Sequence, residues 1–107
     1  MEPQLGTLSI YLSHGEFLVD HDTITKMDPY VVFKLNQQHA RSKIHQEAGL
    51  HPVWEQCFIF RCALGDTLKF ECWDQDLLHD DEIASGCLQI DSSFVLAKSD
   101  SIYYKVN

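Results

Sequence analysis

Apolar and polar residues alternate with a period of two along most of this chain. In "LSIYL" the alternation places Leu8, Ile10 and Leu12 on one face. In "YVVFKL" it places Val31, Phe33 and Leu35 together, with Lys34 on the other side. "WEQCFIF" aligns Trp54, Phe58 and Phe60, and "TLKFECWD" aligns Leu68, Phe70 and Cys72 opposite Lys69 and Glu71. "CLQI" and "IYYKV" add two shorter runs. Successive strand side chains point to opposite faces, so this is the pattern of strands buried on one side. The runs are divided by turn signals, "HG", "NQQH", "AGLHP", "LGD" and "SG",. Several short strands at such spacing predict an all-β antiparallel sandwich. Helix is expected only as a turn or two, in "SSFVLAKSD".

Composition adds limits. A length of 107 residues with 45% hydrophobic content suits one domain with one core, spanning 1–107,. The formal net charge is −8, and only eight residues are Lys or Arg. Nucleic-acid binding, which needs cations against phosphate, is therefore not expected. No apolar run approaches the length of a transmembrane helix. "MEPQLG" lacks the basic and apolar parts of a secretory signal, and neither end carries a lipidation motif,. Cys57, Cys62, Cys72 and Cys87 form no CxxC pair and lie in strand-like runs. They read as small buried residues in a reducing cytoplasm, and the chain is expected to be monomeric. Cys57, out of phase with Phe58 and Phe60, is the thiol expected to be most accessible.

Charge is not spread evenly. "ECWDQDLLHDDE" holds six acids in twelve residues. Asp74 and Asp76 leave the end of a strand together, and Asp80, Asp81 and Glu82 follow closely enough to fold back. A second acidic loop, "DHDTITKMDP", carries Asp20, Asp22 and Asp28. Loops of a sandwich gather at its two ends. Two acidic loops at one end would converge about five carboxylates, an oxygen-only set suited to calcium. The bland alternative is a solvated acidic loop, the usual meaning of a charge run. An EF-hand counted from Asp74 fails, because His79 and Ser85 stand where Gly and Glu are required,. The six histidines show no zinc spacing, and no dedicated nucleophile is evident, so the chain is not expected to be an enzyme.

Three stretches, "DTITKMDPYVVFKL", "HPVWEQCFIF" and "LKFECWDQDLLHDDEIASG", together resemble the landmarks of the C2 domain family. The family includes calcium-dependent membrane-binding modules of signalling and membrane-trafficking proteins. The resemblance runs from Gly6 to about Val106 and implies an eight-stranded Greek-key sandwich. The strand order looks like the phospholipase-like, second topology of the family. It implies calcium ligands at Asp22 and Asp28 in the first loop, and at Asp74 and Asp76 in the third. Asp81 matches the fifth acidic ligand, with Asp80 as the alternative, because this loop is one residue shorter than is common. Main-chain oxygens of His21 and Gln75 would complete the set. The departures, His51, Gln56 and Ala84, remove no ligand.

The resemblance also accounts for the apolar residues set among the acids. Leu77 and Leu78 lie between third-loop ligands, as Ile24 and Met27 lie between Asp22 and Asp28. Two bound ions would halve the net charge, all at one tip, which could then enter a membrane. The competing reading places these residues in the core beneath the loops. Arg41 and Lys43, on one face of "QHARSKIH", resemble the phosphoinositide groove of the family, although two bases make a sparse patch and an ordinary solvated strand accounts for them as well. The expectation is a cytoplasmic module recruited peripherally to phospholipid membranes by calcium. Two alternatives are a calcium-independent protein-interaction adaptor on the same fold and an enzyme that uses the acidic pocket for metal-assisted hydrolysis, for which no dedicated nucleophile is evident.

Overall fold

The structure, a computed structural model, describes residues 5–17 and 27–91. Six strands lie within them: β1 (Leu5–His14), β2 (Pro29–Leu35), β3 (Gln38–Arg41), β4 (Val53–Ala63), β5 (Thr67–Asp74) and β6 (Asp81–Gln89). They form two antiparallel sheets, β1-β4 and β3-β2-β5-β6. No helix occurs among the described residues. The expected turn of helix at 92–100 and the expected last strand at 102–106 lie outside them.

The sheets face each other through the residues that the alternation picks out. Val31, Phe33 and Leu35 of β2 meet Trp54, Phe58, Phe60 and Cys62 of β4, with Leu68 and Cys72 of β5 and Ile90. Leu8, Ile10 and Leu12 of β1 pack against this cluster half-buried. The Phe33 ring lies 5.1 Å from that of Phe58 and 6.5 Å from that of Phe60, which joins the two layers at the centre. Offset and edge-on aromatic pairs of this kind add to the stabilisation from buried area alone.

Two irregularities shape the end of the sandwich that carries the acids. The first is between β1 and β4, where Leu12 pairs with Gln56 but His14 pairs with Val53. An extra residue on β4 is accommodated there, and Glu55 takes a positive φ of 48°. A bulge of this kind bends its strand. The indole of Trp54 is buried beside it, and Nε1 donates to the Pro29 carbonyl at 3.1 Å, tying β4 to the start of β2. The second irregularity lies between β5 and β6, where the register shifts after Cys72 and Trp73 pairs with Glu82. Its effect is to set Asp74 directly opposite Asp81.

Three expectations change. β6 begins at Asp81, well before "CLQI", because its first half is polar and lacks the alternation by which strands are read. β3 ends at Arg41, where the buried Ser42 hydroxyl accepts from the Val31 amide and donates to the Lys43 carbonyl. The stretch "QHARSKIH" is therefore not one strand. Finally, none of the four cysteines is in a disulfide, but only Cys62 and Cys72 are buried; Cys57 and Cys87 are exposed. Cys87 falls on the solvent side of β6, whose outer face pairs it with Lys69.

Candidate functional site: the acidic tip

Pro29, Asp74 and Asp81 stand side by side at one end of the four-stranded sheet, through the β2–β5 and β5–β6 registers. Asp28 precedes Pro29, and residues 75–80 connect β5 to β6 at the same end. Simple strand pairing thus brings Asp28, Asp74, Asp76, Asp80 and Asp81 to one tip.

Asp74 forms the floor. It continues the inward phase of Leu68, Phe70 and Cys72 and is 2% exposed. A buried carboxylate requires hydrogen bonds to remain charged, and Asp74 Oδ1 accepts from the Asp28 amide at 2.8 Å. The Asp28 carbonyl in turn accepts from the Gln75 amide at 3.1 Å, so the two acidic segments are linked through their backbones. The Asp28 carboxylate accepts from the Glu47 amide at 2.6 Å. Burial, with the negative charge of Asp74 alongside, pushes the Cys72 thiol up to about 12 and keeps it unreactive,.

The connection above this floor is organised by Asp80. One of its oxygens accepts from the Asp76 amide at 3.1 Å, and the other accepts from the Tyr30 hydroxyl. The Tyr30 ring is 5% exposed, and the Arg41 guanidinium stacks over it at 4.0 Å from the centroid. These neighbours act on both acids. Asp80 is held below the ordinary carboxylate range, first by the Tyr30 hydroxyl, then by the Asp76 amide, with a contribution from Arg41. Tyr30 is pushed up to about 12, first by burial and then by the bond to Asp80. Asp76 is exposed, and its Oδ1 accepts from the Leu77 amide at 2.6 Å. Asp81 is exposed, and the His79 imidazole reaches it at 3.4 Å.

At the summit Leu77 and Leu78 are 96% and 89% exposed. They are not core residues. Met27 is different. It is fully buried, and its carbonyl accepts from the Gly49 amide at 3.1 Å. The expectation that Met27 meets a membrane is corrected: the 42–52 segment, which also donates from His45 to Pro29, closes over this part of the chain and turns the side chain inward. His21, Asp22 and Ile24, and with them Asp20, lie outside the described residues.

The other sequence-derived site changes character. Arg41 is the last residue of β3 and Lys43 lies beyond it. Both are exposed with Ser42 buried between them, but only Arg41 belongs to the strand, and its guanidinium is engaged over Tyr30. Tyr30 itself was not singled out from the sequence. Its position in the outward phase of β2, diagonal to Arg41 across the β2–β3 pair, is the signal that could have found it,.

Whether these residues suit a cation can be judged from the donors. They are all oxygens, and Asp28 and Asp76 each have a carboxylate oriented by a backbone amide, which is the chemistry a hard divalent ion requires,. The described residues alone do not gather three or more acidic, His or Cys side chains into a group that could hold a metal.

A fold of two antiparallel sheets with such a tip is that of the C2 domain, and the family model for the C2 domain matches residues 6–105. The chain belongs to the C2 domain family. It is 33% identical over 92 residues to the 16 kDa phloem protein 2 of Arabidopsis thaliana, a match covering 84% of this chain and 63% of that protein. Among solved structures it is similar to a C2 domain-containing protein from an elicitor-responsive gene, at 29% identity and a TM-score of 0.76, covering 97% of this chain and 78% of that one. It is also similar to calcium-bound Extended-Synaptotagmin 2, at 24% identity and a TM-score of 0.74, covering 91% of this chain and 38% of that one.

Proposed function

We propose that this chain is a membrane-binding module that docks reversibly on phospholipid surfaces through its acidic tip, in response to calcium. The carrying observation is the near-complete exposure of Leu77 and Leu78 on the connection that also bears Asp76, Asp80 and Asp81. Asp28, Asp74, Asp76 and Asp81, with Asp22 and the main-chain oxygens of His21 and Gln75, would hold the ion, and Ile24 would join the leucines at the surface. Calcium supplies neutralisation of the tip and a bridge to lipid phosphate. The protein's own part is to fix Asp74 at the base through the Asp28 amide and to present the leucines. Without the ion, carboxylates around the leucines oppose contact with an anionic surface.

Two inserted leucines suit reversible association. A fully buried leucine is worth about 1.5–3 kcal/mol, well short of the stable anchoring that lipid chains provide in pairs. The role is one of binding rather than catalysis, on the cytoplasmic side of membranes and as a monomer. Co-sedimentation with anionic and neutral vesicles, in calcium and in chelator, tests it. Calcium-dependent recovery with the vesicles is expected, and equal recovery in calcium and chelator would refute the calcium part.

A second reading is a calcium-independent interaction module on the same fold. It is favoured by the absence of a complete metal-holding group among the described residues. On that reading the tip binds its target equally in chelator.

A further inference from the structure

The Tyr30 hydroxyl and Asp80 connect the body of the sandwich to the tip, and Arg41 backs the Tyr30 ring from β3. We propose that Asp80 is a positioning residue rather than a cation ligand: with Tyr30 it forms a strut that sets the 75–80 connection, which leaves Asp81 as the last acidic ligand. The choice of Asp81 rests on the calcium reading above. The strut itself does not.

The argument begins with the lone pairs of one carboxylate. Asp80 accepts from Tyr30 with one oxygen and from the Asp76 amide with the other. Both bonds are within the protein and involve a charged acceptor, the stronger class of hydrogen bond. Coordination by Asp80 would have to use the remaining lone pairs of two oxygens that protein donors already orient, whereas Asp28 and Asp76 are each oriented by an amide at one oxygen,. Among the described residues, Asp81 has an exposed contact to His79, and it sits opposite Asp74, the buried floor of the tip.

The position of the Asp76 amide gives the strut its effect. Residue 76 receives Asp80 at its backbone nitrogen and offers its own Oδ1 to Leu77. Asp80 therefore closes the connection into a ring of bonds. That ring determines where the Asp76 carboxylate points and how Leu77 and Leu78 are raised. On the far side, Arg41 stacks on Tyr30 at 4.0 Å, so the ring of Tyr30 is held between the guanidinium and the sheet. Removing only the Tyr30 hydroxyl leaves that stacking and the buried ring in place.

Four variants separate a strut from a ligand: Tyr30→Phe, Asp80→Ala, Asp80→Asn and Asp81→Asn. The first measurement is amide hydrogen exchange in the 75–80 connection, without any cation. Tyr30→Phe and Asp80→Ala should each speed exchange of the Asp76 amide about ten- to a hundredfold, the worth of one hydrogen bond to a charged group. The double variant should be little worse than either single one, because both remove the same strut. Asp80→Asn keeps one oxygen to accept from the Asp76 amide and offers an NH2 that can donate to the Tyr30 hydroxyl oxygen, so it should recover part of the protection that Asp80→Ala loses,. The second measurement is calcium titration by calorimetry. Asp80→Asn should weaken binding only a few-fold, whereas Asp81→Asn should abolish it or weaken it at least tenfold. Unchanged exchange in Tyr30→Phe and Asp80→Ala overturns the strut. A loss of calcium binding in Asp80→Asn equal to that in Asp81→Asn overturns the assignment of roles. A wild-type protein that gives no heat with calcium refutes the calcium reading and the choice of Asp81, and exchange then decides the strut alone.

Discussion

Replacing Leu77 and Leu78 together with Ala tests the tip most directly. The two side chains are 96% and 89% exposed, so truncating them removes no packing from the folded protein. Thermal melting should stay within about 0.5 kcal/mol of the parent, as for other surface changes. Membrane binding should respond very differently. Each change removes three carbons, and burial of each CH2 is worth about 0.8 kcal/mol. Full insertion of both leucines would thus contribute on the order of 5 kcal/mol, and insertion of half that surface about 2.4 kcal/mol. At about 1.4 kcal/mol per factor of ten, the half-inserted case weakens vesicle binding about fiftyfold. The assay is partitioning onto phosphatidylcholine vesicles in saturating calcium, by co-sedimentation over a range of lipid concentrations. Added salt provides a control, because it screens attraction to headgroups and leaves apolar insertion in place. Calcium binding in solution should be nearly unchanged, since neither side chain offers an oxygen. Asp76→Asn should instead weaken both calcium binding and docking. Parental vesicle binding by the double alanine variant would refute insertion and leave calcium bridging or polar contacts to account for docking.

Other consequences follow from single contacts. Gly86 on β6 lies against the Phe70 ring, and a Cβ there would approach Cζ to 2.6 Å; Gly86→Ala should cost about 1–3 kcal/mol in urea denaturation through overpacking, and an unchanged midpoint would show that the ring yields freely. Native thiol labelling should modify Cys57 and Cys87 and spare the buried Cys62 and Cys72 until denaturant is added; modification of all four at equal rates would contradict the packing. The Tyr30–Asp80 bond should act over a bounded pH range. Asp80 is shifted down on folding, so its contribution is present above the ordinary carboxylate range and is lost as acid protonates it,. Tyr30 is shifted up to about 12, so its contribution is intact below the unfolded value near 10 and is lost as pH rises towards 12,. Exchange protection of the Asp76 amide should therefore be flat at neutral pH, after correction for intrinsic rates, and fall at both extremes; protection that is insensitive to Asp80 protonation would refute the link.

Much of this architecture is legible in the period of two. Val31, Phe33 and Leu35, or Leu68, Phe70 and Cys72, declare an inward face because burial of one side is the reason for alternation. The first half of β6 is not legible for the same reason. "DEIASG" has one large apolar residue, and its pairing depends on β5 and on the Phe70 ring that covers Gly86, which are tertiary facts. Convergence of the acids can be read from strand ends and loop lengths, but their division of labour cannot. Asp74, Asp76, Asp80 and Asp81 look equivalent in sequence. One becomes a buried floor, one an exposed carboxylate turned onto the next amide, one a bonded strut and one an exposed neighbour of His79. Arg41 and Lys43 likewise look like a pair of bases until β3 ends between them and Arg41 is found over Tyr30.

Met27 and Leu77 show how the chain decides which apolar loop residues belong to the fold. Both lie beside acids in loops at the same tip, and hydropathy treats them alike. Met27 adjoins β2, and its carbonyl is fixed by the Gly49 amide before the strand begins. Its side chain is thereby committed inward, and its burial contributes to folding. Leu77 follows Asp76, whose carboxylate takes the Leu77 amide and whose own amide is taken by Asp80. Those bonds satisfy the backbone within the connection itself, so nothing draws the leucines down to the core. Their exposure is neutral for folding, because they are equally exposed in the unfolded chain. It becomes favourable only when an apolar phase meets the tip. The same backbone bonds that hold Asp76 in place thus hold the leucines out, where an apolar phase can reach them.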